Sequence, residues 1–415
     1  MPAELHIRKR VLTLLVILIF LFGILACRIA YLTTARSAEL TSRGVRQWTR
    51  EGTVYARRGN ILDTNGQTLV MSATAYIVSV EPGKVRDAEA FARIVSPILG
   101  LSEEKVAEKA ANRGKSSVTL KRQVSRETAD QLRQLKQSKD AETAEAASAL
   151  LFDEDVRRVY LRGAFLTQTL GLVNVDGVGQ SGLEQQYETL LRGEAGRSMR
   201  SVDGKARPIY DSGNLYIEPQ DGSTVRLTID ATIQEIVEKA MRECYEVNKA
   251  QAVHAIAMDV YTGAVLAMCS KPDYDPNDPP RDQLDALQSL MRIRLISDSY
   301  EPGSTFKIIT ASAALDSGAC KATDYFTCAG KITVAGTRFR CANGHIHGTE
   351  TFARGLAVSC NPCFIQIGAR LGKERFCDYF AAFGLREATG IDLPGEIKRS
   401  EYYTADRMGP VNDFV

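Results

Sequence analysis

"EPGSTFKIITASAALDSG", residues 301–318, opens on a helix-breaking Pro302-Gly303 pair and runs at once into a helical pattern that Gly318 ends. Ser304 falls in the first turn, where unpaired backbone N–H groups and the helix dipole favour negative charge. Lys307 lies three residues on, on the same face, among Phe306, Ile308 and Ile309. Apolar neighbours push an amine towards its neutral form, and a neutral lysine beside a hydroxyl can take its proton. The pair therefore reads as a serine nucleophile with a lysine base. Alone, the tetrapeptide is a weak signal, because Ser-x-x-Lys arises by chance and a lysine near a helix start can snorkel to water.

A second stretch strengthens the reading. In "LAVSCNPCFIQIG" (356–368), Ser359 and Asn361 stand one residue apart just ahead of a fresh apolar helix. Alternate side chains of a turn point the same way, so the serine could pass a proton while the amide holds a substrate carbonyl or amide. An N-cap serine with a turn asparagine is the plainer reading, and it would prevail if the first stretch were absent.

Upstream, "GSTVRLTIDATIQEIVEKAMRECYEV" (222–247) predicts a strand, an Asp230 cap, and a helix with Ile233, Ile236, Val237 and Ala240 on one face. "AVHAIAMDVYTGAVLAMCS" (252–270) predicts an antiparallel hairpin turning at Thr262-Gly263. The prolines of "KPDYDPNDPPRD" (271–282) remove ladder donors and make this stretch a surface loop, which leads to a helix near 284–296. Earlier, Asn65-Gly66 inside "VYARRGNILDTNGQTLVMSATAYIVSV" (54–80) signals another hairpin. Residues 86–150 are rich in Ala, Glu, Lys, Arg and Gln, and predict two or three solvent-exposed helices of a folded spacer.

The N-terminal "HIRKRVLTLLVILIFLFGILACRIAYLTTA" (6–35) carries one charged residue, Arg28, between Val11 and Leu32. At helical rise this run crosses a hydrocarbon core of about 30 Å. Residues 11–33 are thus expected to span the membrane. Arg8, Lys9 and Arg10 place residues 1–10 in the cytoplasm and the rest outside. A cleaved signal peptide fits less well, since the run is long and no small-x-small site ends it. A lipoprotein site at Cys27 is opposed by Leu25 and Arg28.

Composition sets the frame. At 415 residues, with 44% hydrophobic and 25% charged residues, the chain has room for two or three ordinary globular domains. Its 52 basic and 50 acidic residues leave a net charge of +2, too little to draw in nucleic acid over distance. Nine cysteines include Cys27 in the span. Cys328 and Cys341 bracket "AGKITVAGTRFR" (329–340), a strand-turn-strand pattern with Ala335-Gly336 at the turn, and form a candidate disulfide. "CANGHIH" (341–347) and "SCNPC" (359–363) raise a zinc reading on Cys341, His345, His347, Cys360 and Cys363. It is weak: the Cys-x-x-Cys has no second such pair at ribbon spacing, the histidines are one residue apart, and small buried cysteines are common. No metal and no cofactor are expected.

Taken together, the chain resembles the class B penicillin-binding proteins, membrane-anchored peptidoglycan D,D-transpeptidases, over nearly its whole length. "RRGNILDTNGQTLV" is similar to the family's Arg-Gly-x-Ile-x-Asp-x-Asn-Gly signature, and "GVGQSGLEQQYETLLRGEAGR" (177–197) to its Gly-Leu-Glu segment. "LTIDATIQ", "AMDVYTGAVLAMCSKPDYDPN", "EPGSTFK", "HGTETFARGLAVSCN" and "TGIDLPGE" (389–396) follow in the family's order. "CAGKITVAGTRFRCANGHIHGTETF" resembles division- or sporulation-type members from Gram-positive bacteria.

The resemblance implies an α+β chain. A pedestal or dimerisation domain (34–220) would precede a penicillin-binding, β-lactamase-like transpeptidase domain (221–415) built on an antiparallel sheet with helices. It implies Ser304 as acyl-accepting nucleophile, Lys307 as its base, and Ser359 with Asn361 as the second motif. Ser304, Ser359 and Asn361 would also touch substrate. The implied substrates are peptidoglycan stem peptides and their lipid-linked precursor, with β-lactams as inhibitors and a SEDS-type membrane glycosyltransferase as partner; nucleic acid is not among them.

One departure stands out. The family's third motif, Lys-Thr-Gly or Lys-Ser-Gly, does not follow Asn361. An incomplete sheet with an open apolar edge is therefore expected. The chain would be a fragment or an inactive product, and these 415 residues alone would not react appreciably with a penicillin. A catalytically inactive scaffold of the division or spore-cortex machinery is the alternative. A β-lactam sensor would need further spans, and a soluble β-lactamase would have neither the anchor nor the pedestal.

Overall fold

A single helix, α1 (Pro2–Thr34), takes up the apolar run, and its apolar side chains from Val11 to Ile29 are exposed. Within it Val11–Thr34, with a mean hydropathy of 2.7, is long and apolar enough to cross a membrane. The computed structural model describes residues 2–201, 215–397, 405, 406 and 408; the other residues of the 34–220 and 221–415 regions lie outside the described set.

Further along, the elements that matter here are the strands β1 (Ile61–Leu62) and β2 (Thr68–Val80), helix α2 (Ala88–Leu99), and strands β3 (Val118–Val124), β4 (Leu150–Tyr160) and β5 (Val225–Arg226). Then come helix α3 (Ala231–Asn248), strands β6 (Val253–Met258) and β7 (Val265–Lys271), and helix α4 (Lys307–Asp316). Strands β8 (Tyr325–Cys328), β9 (Lys331–Val334), β10 (Thr337–Arg340) and β11 (Gly348–Thr351) precede helices α5 (Asn361–Leu371) and α6 (Lys373–Ala382). The chain is α+β throughout.

Its contacts gather into two units that interleave in sequence rather than meeting at a single cut. One comprises Met1–Asn60, Ser72–Arg157 and Thr189–Thr224; the other comprises Ile61–Met71, Arg158–Glu188 and Val225–Val415.

In the first unit β3 lies antiparallel to β2, pairing Tyr76 with Val124 and Val80 with Val118. The 86–150 region holds four α-helices and a strand, where the sequence suggested two or three exposed helices. The helices carry narrow apolar edges, and these converge: Phe91, Val95 and Leu99 of α2 pack with Val106, Leu132 and Leu150 in one buried core. Asp87 caps α2 by accepting from the Glu89 and Ala90 N–H groups, and Gly100 ends it at φ 62°. The signature glycine Gly59 is required by close backbone approach. Its N–H donates to the Leu191 carbonyl at 2.8 Å, and a Cβ there would lie 1.9 Å from the Ser223 carbonyl oxygen.

In the second unit the rest of the same signature builds a turn. Asp63, fully buried, accepts from the Asn65 N–H at 2.9 Å, the Gln67 N–H at 2.7 Å and the Ala231 N–H at 3.2 Å. It thus closes the β1–β2 hairpin and holds the start of α3. Asp230 caps that helix as expected, accepting from Thr232 and Ile233.

The inward face of α3 differs from the apolar one the spacing suggested. Ala231, Gln234 and Glu238 are buried, whereas Ile236 is 65% exposed. Gln234 explains this, because its amide satisfies both backbone groups of Met268 on β7, at 2.7 and 2.9 Å. Glu238 receives the Lys271 ammonium at 2.8 Å and the Leu166 N–H at 3.0 Å. Both polar side chains have partners, which removes the desolvation cost that would otherwise exclude them.

The β6–β7 hairpin turns where predicted, with Asp259 accepting from the N–H groups of Tyr261 and Thr262 at 2.9 and 2.7 Å. Among the described residues β6 pairs with β7 alone, and its Ile256 and Met258 are exposed. In the Gly-Leu-Glu segment, Glu184 accepts from Arg158 at 2.6 Å, both side chains being buried.

Candidate active site

Helix α4 does not begin at Ser304. A 3-10 turn, Gly303–Phe306, precedes it, with Gly303 at φ 61° and the Lys307 N–H donating back to the Ser304 and Thr305 carbonyls. Ser304 is thus exposed on the tight turn, with Lys307 one turn further on. Phe306 anchors the turn, its ring centroid 6.0 Å from both Phe376 and Phe380 of α6. Ala313 and Ala314, fully buried, let α4 approach its neighbours closely. The apolar side chains of the opening stretch therefore divide: Phe306 packs inward and Ile308 is exposed.

Lys307 is buried, with 4% of its surface exposed, and its amine finds three acceptors. Nζ lies 2.8 Å from the Ser359 carbonyl, 3.1 Å from Ser359 Oγ and 2.5 Å from Asn361 Oδ1. It also lies 5.5 Å from the centre of the Phe364 ring. Burial pulls its pKa below the ordinary lysine value, although the thiols of Cys341, Cys360 and Cys363 act the other way.

Three of the four residues selected from sequence therefore meet at one amine. Ser304 stands apart: among the described residues no hydrogen bond joins its hydroxyl to Lys307.

The second motif is held from both sides. Asn361 is the first residue of α5, and its Nδ2 donates to the Arg340 carbonyl at the end of β10 at 3.0 Å. Cys360 is the N-cap residue and accepts from the Phe364 N–H at 3.1 Å. Ser359 sits at φ 51°, a left-handed conformation that costs a non-glycine residue energy and is kept only where surroundings enforce it. Nothing in the sequence pointed to the Arg340 carbonyl, because a backbone acceptor carries no residue signature.

Around this turn lies a thiol-rich core. Cys328 and Cys341, the candidate disulfide, are both free thiols here, buried together with Cys360 and Cys363. Burial pushes the Cys328 thiol up, but the neighbouring backbone of His347 and Gly330 outweighs it and brings it down to about 7; the thiol itself donates to the His345 carbonyl at 3.7 Å. Burial, reinforced by Glu350, holds Cys363 up at about 12.

Residues 53–227 match the penicillin-binding protein dimerisation domain, and residues 253–406 the penicillin binding protein transpeptidase domain. The chain belongs to the class B penicillin-binding proteins. It is 34% identical over 406 residues to stage V sporulation protein D of Bacillus subtilis, covering 98% of this chain and 61% of that protein. It is 26% identical over 407 residues to the probable peptidoglycan D,D-transpeptidase PenA of Neisseria meningitidis, covering 95% and 67%. A peptidoglycan synthetase from Bifidobacterium adolescentis superposes at a TM-score of 0.61 with 26% identity, over 87% of this chain and 68% of that one. This class B penicillin-binding protein chain thus spans 61% and 67% of the length of the two relatives. The order of its dimerisation and transpeptidase domains is the order in which the signature stretches were read from sequence.

Proposed function

We propose that Ser304 is the nucleophile and Lys307 the general base of a peptidoglycan D,D-transpeptidase, with Ser359 and Asn361 as its second motif. The observation that carries this reading is the buried Lys307 amine, gripped by Ser359 and Asn361 one turn beyond the exposed Ser304. A depressed lysine pKa supports the base role, since the neutral amine is the competent form.

In the proposed reaction Ser304 Oγ bonds to the carbonyl carbon of the penultimate D-Ala of a stem peptide while Lys307 takes the hydroxyl proton. The peptide C–N bond breaks, and terminal D-Ala leaves with a proton relayed through Ser359. An amine from a neighbouring strand then attacks the ester, returning the Ser304 hydroxyl and forming the crosslink. The Ser304 backbone N–H is one oxyanion donor. A β-lactam would acylate the same oxygen.

The substrate is thus a stem peptide built from lipid-linked precursor, and a SEDS-type glycosyltransferase is the proposed membrane partner. Arg8, Lys9 and Arg10 support a single-pass topology in the cell membrane with the N-terminus cytoplasmic.

The test is fluorescent-penicillin labelling of the protein as the cell makes it, compared with Ser304→Ala. A covalent label mapped to Ser304 and lost in the variant is expected. Label that persists in Ser304→Ala overturns the assignment. Complete absence of label on the native protein would favour the reading as a scaffold of the division or spore-cortex machinery.

A further inference from the structure

Four side chains far apart in sequence converge beside the second motif. Cys328 ends β8, and its ladder partner across β11 is Gly348, which brings His347 next to it. The β9–β10 hairpin leaves from one side and returns at Cys341, whose N–H donates to the Gly330 carbonyl at 3.0 Å and closes the loop's base. Cys360 arrives from the start of α5, its N–H fixed on the Gly355 carbonyl at 2.8 Å.

The ligand atoms of Cys328, Cys341, His347 and Cys360 all lie within 4.8 Å of one another. Cys341 Sγ is 3.9 Å from Cys360 Sγ and 3.6 Å from His347 Nδ1. A tetrahedral zinc centre, with Zn–S of about 2.3 Å and Zn–N of about 2.0–2.1 Å, requires edges of about 3.8 Å between sulfurs and about 3.6 Å between sulfur and nitrogen. The two Cys341 separations match those edges, and the remaining ones stay within 4.8 Å. The Cys341–Cys360 sulfur separation of 3.9 Å is far longer than a disulfide's S–S bond of about 2.05 Å, and a disulfide would use only two of the three thiols.

We propose that Cys328, Cys341, His347 and Cys360 bind one zinc ion as a closed, four-coordinate structural site. The donor set of three sulfurs and one imidazole suits zinc rather than a hard oxygen-seeking cation. Binding converts the three thiols to thiolates and releases their protons to solvent, with no oxidant or reductant needed.

The sequence undervalued this site because it lacks paired Cys-x-x-Cys knuckles. Tertiary structure replaces them with a strand end, a hairpin base, a strand start and a helix cap. His345 and Cys363, both candidates from spacing, lie outside the set; the Cys363 thiol donates to Glu350 at 3.0 Å instead.

Cys360 separates Ser359 from Asn361, the two residues that hold Lys307. A metal on Cys360 would tie that turn to the hairpin base and help to enforce the left-handed Ser359. This positioning role rests on the function proposed above; zinc binding itself does not.

The test is zinc content of the whole chain, purified in mild detergent without chelator and measured by elemental mass spectrometry. About one zinc per chain is expected for a closed site, lost in Cys328→Ser and in Cys341→Ser and kept in Cys244→Ser and Cys363→Ser. Because a metal-free variant can fail to fold, the unsubstituted chain is also loaded with cobalt(II). Thiolate-to-cobalt charge transfer and intense tetrahedral ligand-field bands are expected. Negligible zinc with a weak octahedral cobalt spectrum overturns the inference, as does a non-reducing peptide map that recovers any two of the three cysteines as a disulfide. Loss of metal in Cys363→Ser but not in Cys328→Ser overturns it in favour of the neighbouring Glu350, Cys360 and Cys363 cluster. None of these readouts depends on penicillin labelling, so this inference and the proposed function can fail separately.

Discussion

The Lys307 amine lies 2.5 Å from the amide oxygen of Asn361, and two Ser359 oxygens complete its shell. Three acceptors suit the three N–H bonds of an ammonium ion, whereas burial favours the neutral amine. Burial prevails, leaving the pKa below the ordinary lysine value. If the neutral form is the base, acylation by a penicillin rises with pH through that depressed pKa and levels off above it. The pH profile of the acylation rate constant should therefore inflect below the ordinary lysine range. Lys307→Ala should lower the rate by about 10²–10⁴-fold, the usual contribution of a positioned base. A flat profile, or an unchanged rate in the variant, would remove Lys307 from the chemistry.

Asn361 holds both the amine and the Arg340 carbonyl. Asn361→Ala should slow acylation by about 10–100-fold, the equivalent of one hydrogen bond to a charged group. Asn361→Asp retains the shape but sets a carboxylate against the amine, which raises its pKa. The inflection should move to higher pH in Asn361→Asp and not in Asn361→Ala. A common shift in both variants would indicate a purely packing role.

The Lys271–Glu238 pair predicts acid sensitivity. Burial opposes the Glu238 charge, but the Lys271 ammonium and the Leu166 N–H outweigh it and hold the carboxyl below its ordinary value. A carboxylate depressed in the folded state stabilises fully above its unfolded pKa, and that contribution disappears as pH falls through the folded one. Urea midpoints should therefore fall in acid more steeply for the native chain than for Glu238→Gln. In the variant the Lys271 ammonium keeps Asp273 as its carboxylate partner, so the loss at neutral pH should be that of one charge-assisted hydrogen bond, about 1.5–3 kcal/mol.

Gly182, in the Gly-Leu-Glu segment, has φ 56°, and an added Cβ would lie 2.5 Å from the Thr169 carbonyl oxygen. Backbone cannot yield there as a flexible side chain could. Gly182→Ala should destabilise the unit by more than about 1 kcal/mol, visible as a lower thermal midpoint. Gly66→Ala tests the left-handed backbone alone: Gly66 has φ 84° but nothing within 4 Å of its Cβ position, so its loss should be the smaller of the two.

The sequence by itself determined the elements whose causes are local. An apolar run produced α1, Asp230 capped α3, and left-handed glycines turned the β1–β2 and β6–β7 hairpins, because each depends on neighbours within a few residues. It also determined that Ser304 precedes Lys307 by one turn and that Ser359 and Asn361 flank a helix start. Tertiary structure alone decided that Lys307 reaches Ser359 and Asn361, more than fifty residues away, and that Gln234 and Glu238 rather than Ile236 face the strand. It alone decided that Cys328, Cys341, His347 and Cys360 meet. The reason is physical: periodicity records which side chains share a face, but a polar group's partner is chosen by packing between elements. A buried amine, carboxylate or thiol is tolerated only where distant backbone and side chains complete its shell.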